Sequence, residues 1–149
     1  MRAVVQRSGA ASVTIAGDVV GAIDGGVVVL VGIAPTDGDD EARWLADKVA
    51  NLRIFTDDHG KMNRSLLETG GQALVVSQFT LYGDARKGRR PSFIHAAQGP
   101  EAERVYEKVI EEIRALDIAC ATGKFGATMQ VALTNEGPVT ILLDSDKTF

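Results

Sequence analysis

Three stretches of this chain bring together groups that could act on a ligand. The first is Ser77-Gln78-Phe79-Thr80-Leu81, where Ser77, Gln78 and Thr80 carry hydrogen-bonding side chains at the end of an apolar run, Ala73 to Val76. Open α/β and mixed sheets place ligand groups at such strand ends, although an edge strand turning the same residues to water reads alike. The second is Arg86-Lys87-Gly88-Arg89-Arg90, the only dense basic cluster in a chain of formal net charge −4. Cations around a glycine that lets backbone approach suit phosphate, or they form a solvated face. The third is Gly137-Pro138, between the strand-like runs Met129 to Leu133 and Val139 to Leu143. Proline offers no N–H to a ladder, so the pair is either a turn between two hairpin strands or a rigid element aiming its carbonyls at a ligand.

The reactive side chains that are missing narrow the chemistry. No His-x-x-x-His or Cys-x-x-Cys supplies zinc ligands, no Walker loop ends in Lys-Ser/Thr, and no Gly-x-Ser-x-Gly elbow frames a serine. His59 falls in a polar loop, Thr56 to Lys61, and His95 has no acid or nucleophile beside it. Cys120, between Ala119 and Ala121, reads as a small buried residue of a short strand. An enzyme built from these parts works by positioning and by backbone hydrogen bonds, with no metal and no cofactor expected.

The elements that must hold these groups follow from periodicity. Ala3 to Arg7 and Ser12 to Ile15 read as strands, the second alternating polar with apolar. Ala16-Gly17-Asp18 turns into Val19 to Ile23, and Asp24-Gly25-Gly26 turns into Val27 to Gly32, continuously apolar and therefore central. Asp39, Asp40 and Glu41 precede Ala42, Leu45, Ala46, Val49 and Leu52, predicting a helix from about Asp39 to Ala50. Arg53 to Phe55 is a short strand and Ser65 to Glu68 a turn of helix. A second long helix starts at Gly99-Pro100, where proline costs no hydrogen bond, and buries Ala102, Val105, Tyr106, Val109, Ile110, Ile113 and Leu116. Gly123 to Thr128 is a glycine-bearing connection. The order predicts a single α+β domain over residues 1–149, a mixed β-sheet with two main amphipathic helices.

Composition sets the outer limits. At 149 residues, 45% hydrophobic and 24% charged, the chain can bury one core without disulfides. The longest apolar run, Val27 to Val31, is too short for a bilayer, and the start shows no signal peptide, so a cytoplasmic protein without membrane contact is expected. The negative net charge leaves only a local basic patch as a route to nucleic acid.

Taken in order, Gln6-Arg7, Ala11-Ser12-Val13, Gly60-Lys61-Met62-Asn63, Ser77-Gln78-Phe79-Thr80-Leu81, Arg90-Pro91-Ser92-Phe93, Gly123-Lys124-Phe125-Gly126-Ala127 with Met129, and Asn135-Glu136-Gly137-Pro138-Val139-Thr140 resemble the D-aminoacyl-tRNA deacylase family. The similarity covers nearly the whole chain. The resemblance implies that family's fold and a homodimeric cytoplasmic hydrolase that splits the ester between a D-amino acid and the 3′ end of tRNA. It implies that Ser77, Gln78, Phe79 and Thr80 form the catalytic site, with N–H groups near Phe79 binding the substrate carbonyl. Arg7, Phe125 and Met129 would support it. Water would be the nucleophile, assisted by the 2′-hydroxyl of the terminal adenosine. Gly137-Pro138 would be a cis pair, inserted from one subunit into the other's active site to reject L-residues while admitting glycine, including glycyl-tRNA mischarged on tRNA(Ala). Arg86, Lys87, Arg89 and Arg90 remain candidates for tRNA phosphate. The tail from Asp144 to Phe149 carries no motif.

Overall fold

In the computed structural model, which describes residues 1–149, one long strand, β1 (Arg2–Ile15), organises the sheet. Its first half pairs antiparallel with β3 (Gly26–Gly32), its second half with β2 (Asp18–Ile23), and its other edge is lined by β8 (Gln130–Asp144). Beyond β3 lie β6 (Gln72–Ser77) and β7 (Cys120–Thr122), each parallel to its neighbour. The mixed sheet is thus the predicted one, in the order β2-β1-β3-β6-β7 with β8 on β1. A separate small hairpin, β4 (Phe55–Thr56) and β5 (Met62–Arg64), projects from it.

Two expected interruptions are not breaks. Ala3 to Arg7 and Ser12 to Ile15 are parts of the single β1, because the chain stays extended while changing partner from β3 to β2. Likewise, Met129 to Leu133 and Val139 to Leu143 fall on one side of β1 as one strand, so Gly137-Pro138 is not a hairpin turn. The short strand expected at Arg53 to Phe55 is displaced to Phe55–Thr56, where it finds β5 as partner.

Alternation along the central strands feeds two cores. Val27, Val29 and Val31 of β3 and Ala73 and Val75 of β6 face the main core, beneath α1 (Asp39–Asn51) and α3 (Gly99–Ala115). Val28, Leu74 and Val76 point the opposite way and meet Val13 and Ile23, with Met129, Val131 and Leu133 closing over them. Side chains of a strand alternate between faces, so a continuously apolar strand needs cover on both.

The helices are built as their sequences direct. Glu41 caps α1 by accepting from the Gly38 N–H at 2.9 Å, and Ala42, Leu45, Ala46 and Val49 are buried. Truncating Leu45, fully buried, to alanine should cost about 2–5 kcal/mol. Helix α2 (Leu66–Thr69) is a single turn in a Ser65–Glu68 capping box. Pro100 sits in the first turn of α3, and Ala102 to Ile113 form its buried stripe. Leu116 follows the last turn and is one-third exposed, so the predicted stripe ends at Ile113.

Candidate active site

Strand β6 ends at Ser77, and the chain then tightens into a 3-10 helix, Phe79–Tyr82. The bend is fixed against β3: the Gln78 N–H donates to the Val31 carbonyl at 2.7 Å, and the Leu81 N–H donates back to the Gln78 carbonyl at 3.2 Å. Gly32 makes room for it. A Cβ at Gly32 would stand 3.1 Å from the Gln78 carbonyl oxygen and 3.2 Å from Leu81 Cβ.

A helix start leaves its first N–H groups without intrahelical acceptors. Accordingly, the Phe79 and Thr80 N–H groups donate to no group of the chain. The Gln78 side-chain amide donates to the Thr80 hydroxyl, tying the two residues across the bend.

Ser77, Gln78 and Phe79 border a cavity of about 540 Å3, while Thr80, the fourth residue expected at the site, does not line it. Ser77, Gln78 and Phe79 form one wall, Phe125 and Met129 another, and Ala102 at the head of α3 a third. Phe125 leans on Tyr106, with ring centroids 5.8 Å apart. The Tyr106 hydroxyl, raised in pKa by burial, donates to the Val75 carbonyl at 2.9 Å and so links α3 to the strand that ends at Ser77. No residue around the cavity has an ionisable side chain. The arrangement can hold a largely apolar ligand and offer backbone donors to a developing negative oxygen, but it supplies no side-chain acid or base.

The Gly137-Pro138 element is elsewhere in the chain and does not line this cavity. Pairing of β8 with β1 jumps from Asn135 opposite Ser8 to Thr140 opposite Gln6, so the residues between bulge out of the ladder. The peptide between Gly137 and Pro138 is cis, and Gly137 has φ of +132°. Asn135 latches the bulge, its Oδ1 accepting from the Val139 N–H at 3.0 Å and its Nδ2 donating to the Thr140 hydroxyl at 2.9 Å. Arg7 braces it from β1, donating from Nε to the Glu136 carbonyl at 3.0 Å and from Nη1 to the Ile54 carbonyl at 2.7 Å. Arg7 is therefore a support of the bulge and not a wall of the cavity.

The basic cluster divides. Arg86 forks onto Asp84 through Nε and Nη2, and its own N–H also bonds that carboxylate. The Arg86 side chain, followed by its N–H, holds the Asp84 carboxyl well below the usual range. Lys87, Arg89 and Arg90 are exposed and make no ion pair. A larger hollow, about 660 Å3, lies at the Tyr82 end of the 3-10 helix and includes Arg2, Arg86 and His95. Its arginines are already spent on Asp144 and Asp84, so it offers little to an anion. Neither His59 nor Cys120 lines the cavity. Cys120 is half-buried rather than buried, and burial pushes its thiol up to about 11.

Some of this could not be read ahead. The unpaired N–H groups at Phe79 and Thr80 belong to the backbone and have no residue-type signature. The Asn135 latch was present as a residue but needed the bulge to show its purpose. Ala102 was visible only as part of the buried face of α3, since a small residue at a helix head looks the same whether it fills a core or floors a cavity.

The chain is similar throughout to proteins of one kind. The family model described as D-Tyr-tRNA(Tyr) deacylase matches residues 4–144. A D-aminoacyl-tRNA deacylase of Desulfotalea psychrophila is 55% identical over 149 residues, covering all of both chains. One of Roseiflexus sp. is 59% identical over 145 residues, covering 97% of this chain and 94% of its own. Among solved structures, a c-Myc DNA Unwinding Element Binding Protein superposes with a TM-score of 0.90 at 42% identity, over 97% of this chain and 99% of that one. A probable eukaryotic D-amino acid tRNA deacylase, at 18% identity and a TM-score of 0.81 over 95% and 97%, shares the fold. With a family model spanning almost the full length and relatives more than half identical from end to end, this chain belongs to the D-aminoacyl-tRNA deacylase family, a family of hydrolases.

Proposed function

We propose that the protein hydrolyses the ester between a D-amino acid and the 3′ end of tRNA, releasing free amino acid and tRNA, with the reaction centred on the cavity beside Ser77, Gln78, Phe79 and Thr80. One observation carries this reading: the cavity is bordered by Phe79, whose N–H is unpartnered like that of Thr80 just beyond it, and its walls hold no ionisable side chain. Ester hydrolysis by water fits such a site. Water adds to the ester carbonyl carbon, the resulting oxyanion accepts from the two N–H groups, and the 3′ oxygen leaves with a proton. The 2′-hydroxyl of the terminal adenosine supplies the proton relay that the protein lacks. Losing one oxyanion donor typically costs about 2.7–4 kcal/mol of barrier, enough to make backbone placement the main catalytic device.

Chirality is read by backbone. Contacts to one apolar side chain discriminate by only about 1–3 kcal/mol, too little to admit every D-residue and refuse every L-residue. A fixed wall acts on stereochemistry instead of side-chain identity. Gly137-Pro138 of a second copy in a homodimer fills that role, with its carbonyls where an L side chain would lie. Two features support this: the bulge is braced by Arg7 and Asn135, and β8 has one edge without a partner in its own chain. Glycine, with no side chain, passes the wall, so glycyl-tRNA, including glycine mischarged on tRNA(Ala), is a substrate. Lys87, Arg89 and Arg90 meet tRNA phosphates, and the protein acts in the cytoplasm. No helix is long and apolar enough to cross a membrane.

A paired assay on the D- and L-forms of one aminoacyl-tRNA tests the reading. Release of D-amino acid with the L-form left intact is expected. Equal hydrolysis of both removes the wall, and binding without release removes the enzyme.

A further inference from the structure

The rim of the cavity carries an aromatic pair that the reaction itself does not use. Phe79 is 55% exposed although it is large and apolar, and Phe93 meets it edge to face with ring centroids 5.1 Å apart. Phe93 itself is half-buried and does not line the cavity. Beside it, Ile94 is 77% exposed. Exposed aromatic and aliphatic surface at one spot marks a place where something docks.

The same segment carries the unpaired charge. Asp84 and Ser92 exchange two backbone hydrogen bonds, at 2.8 and 2.9 Å, which close the loop between them. Within it the Asp84 carboxylate consumes Arg86, so Arg86 shapes the loop while Lys87, Arg89 and Arg90 are left facing solvent. Three free cations beside an aromatic shelf, on a protein of net charge −4, select a polyanion with flat hydrophobic faces. Single-stranded nucleic acid has that chemistry: phosphates track the cations while bases stack on aromatic rings, whatever their identity.

We infer that Phe93, at the edge of Phe79, stacks the base of the nucleotide just before the terminal one, while Lys87, Arg89 and Arg90 hold the phosphates leading to it. This rests on the deacylase reading of the neighbouring cavity and extends it: the cavity takes the terminal nucleoside with its amino acid, and the shelf takes the single strand that delivers it. Phe93 is then a positioning residue for the RNA, and Arg86 belongs to the loop's architecture instead of the phosphate contacts.

The test compares two substrates that differ only in this strand, a D-aminoacyl-adenosine and the same D-aminoacyl group on full tRNA, with kcat/KM measured for each. Wild-type protein should favour the tRNA. Phe93→Ala and Phe93→Leu should each shrink that advantage about 10- to 100-fold, the range expected for loss of one stacked base. Phe93→Tyr, which keeps the π-face, should retain it. Phe93→Leu preserves apolar bulk, so it reports on stacking even if the alanine variant folds poorly. Equal losses on both substrates would mean that Phe93 only props Phe79, and no loss on either would mean that the shelf is unused; each overturns the inference. A change in oligomeric state of Phe93→Leu by sedimentation would assign the shelf to a second copy of the chain and overturn it too. Failure of the wild type to hydrolyse either substrate would instead sink the deacylase reading itself.

Discussion

Replacing Gly32 by alanine should slow catalysis although Gly32 itself does not line the cavity. Gly32 ends β3, and an added Cβ would stand 3.1 Å from the Gln78 carbonyl, 3.2 Å from Leu81 Cβ and 3.3 Å from Tyr82 Cδ2, all tighter than ordinary contact at 3.4 Å or more. The strand is anchored between β1 and β6, so the relief must come from the 3-10 helix, by a few tenths of an ångström. That helix presents the Phe79 and Thr80 N–H groups. Complete loss of one such donor lowers kcat by about 100- to 1000-fold, so a partial displacement should lower it by about 10-fold. Overpacking of this size destabilises by about 1 kcal/mol, at the bottom of its usual range, which lowers Tm by roughly 2–4 °C. Single-turnover hydrolysis of a D-aminoacyl-tRNA isolates the chemical step, and a thermal melt reads the stability. A rate within twofold of wild type in a variant whose 3-10 helix has demonstrably shifted would refute backbone donation as the source of catalysis. A rise in KM alone would refute it as well, since the donors act on the transition state.

Other outcomes follow from the same geometry. Gly137→Ala puts a Cβ at φ of +132°, 2.6 Å from Val139 Cγ2 and 3.0 Å from Arg7 Nη2, which should destabilise by about 1–3 kcal/mol; the D-to-L hydrolysis ratio should fall at a temperature where the variant is folded, and an unaltered ratio would separate the bulge from chirality. Because no ionisable group lines the cavity, the single-turnover rate should show no pH break that His59→Ala or His95→Ala abolishes. With its thiol near 11, Cys120 holds about a hundredfold less thiolate at pH 8 than an ordinary cysteine, so alkylation should be correspondingly slow in the native protein and normal after unfolding. Burial works to raise the Asp144 carboxyl, but bonds from the Thr148 hydroxyl, the Asp146 N–H and Arg2 outweigh it and leave the folded-state pKa below the unfolded one. Its stabilisation is therefore present above about pH 4 and lost as pH falls below that, so Asp144→Asn should flatten the acid limb of the stability profile measured by denaturant melts.

Periodicity was enough for the elements that bury apolar faces, such as Val27 to Gly32 or the stripe of α3, because the side chains themselves encode which way a strand or helix must face. It failed where pairing partners decide. Nothing in Gly9-Ala10 tells a reader that β1 stays extended while its neighbour changes from β3 to β2, and nothing local to Pro138 tells that β8 resumes on the same partner after the bulge. Both depend on β1, which lies far away in sequence from β8. The site shares this division. Ser77, Gln78, Phe125 and Met129 were legible as side chains and do meet in one cavity, whereas the groups assigned to chemistry are N–H donors made available by a bend that Gly32 permits.

In the proposed dimer the bulge and the cavity, which lie apart in one chain, act together across two copies. Arg7 spends its guanidinium on two backbone carbonyls, at Glu136 and Ile54, and so fixes the bulge to the base of the β4–β5 hairpin without reaching the cavity. The edge of β8 is open to a second copy, and the cavity beside Phe79 is open to a wall. The proposed exchange of bulges between two copies would satisfy both. On that arrangement a protein with Arg7→Ala should still dimerise through the remaining edge while its D-to-L ratio drops, because the wall persists but is no longer held in place. Sedimentation and the paired hydrolysis assay on the same sample separate the two effects, and a variant that keeps full discrimination would show that the brace on Glu136 serves folding alone.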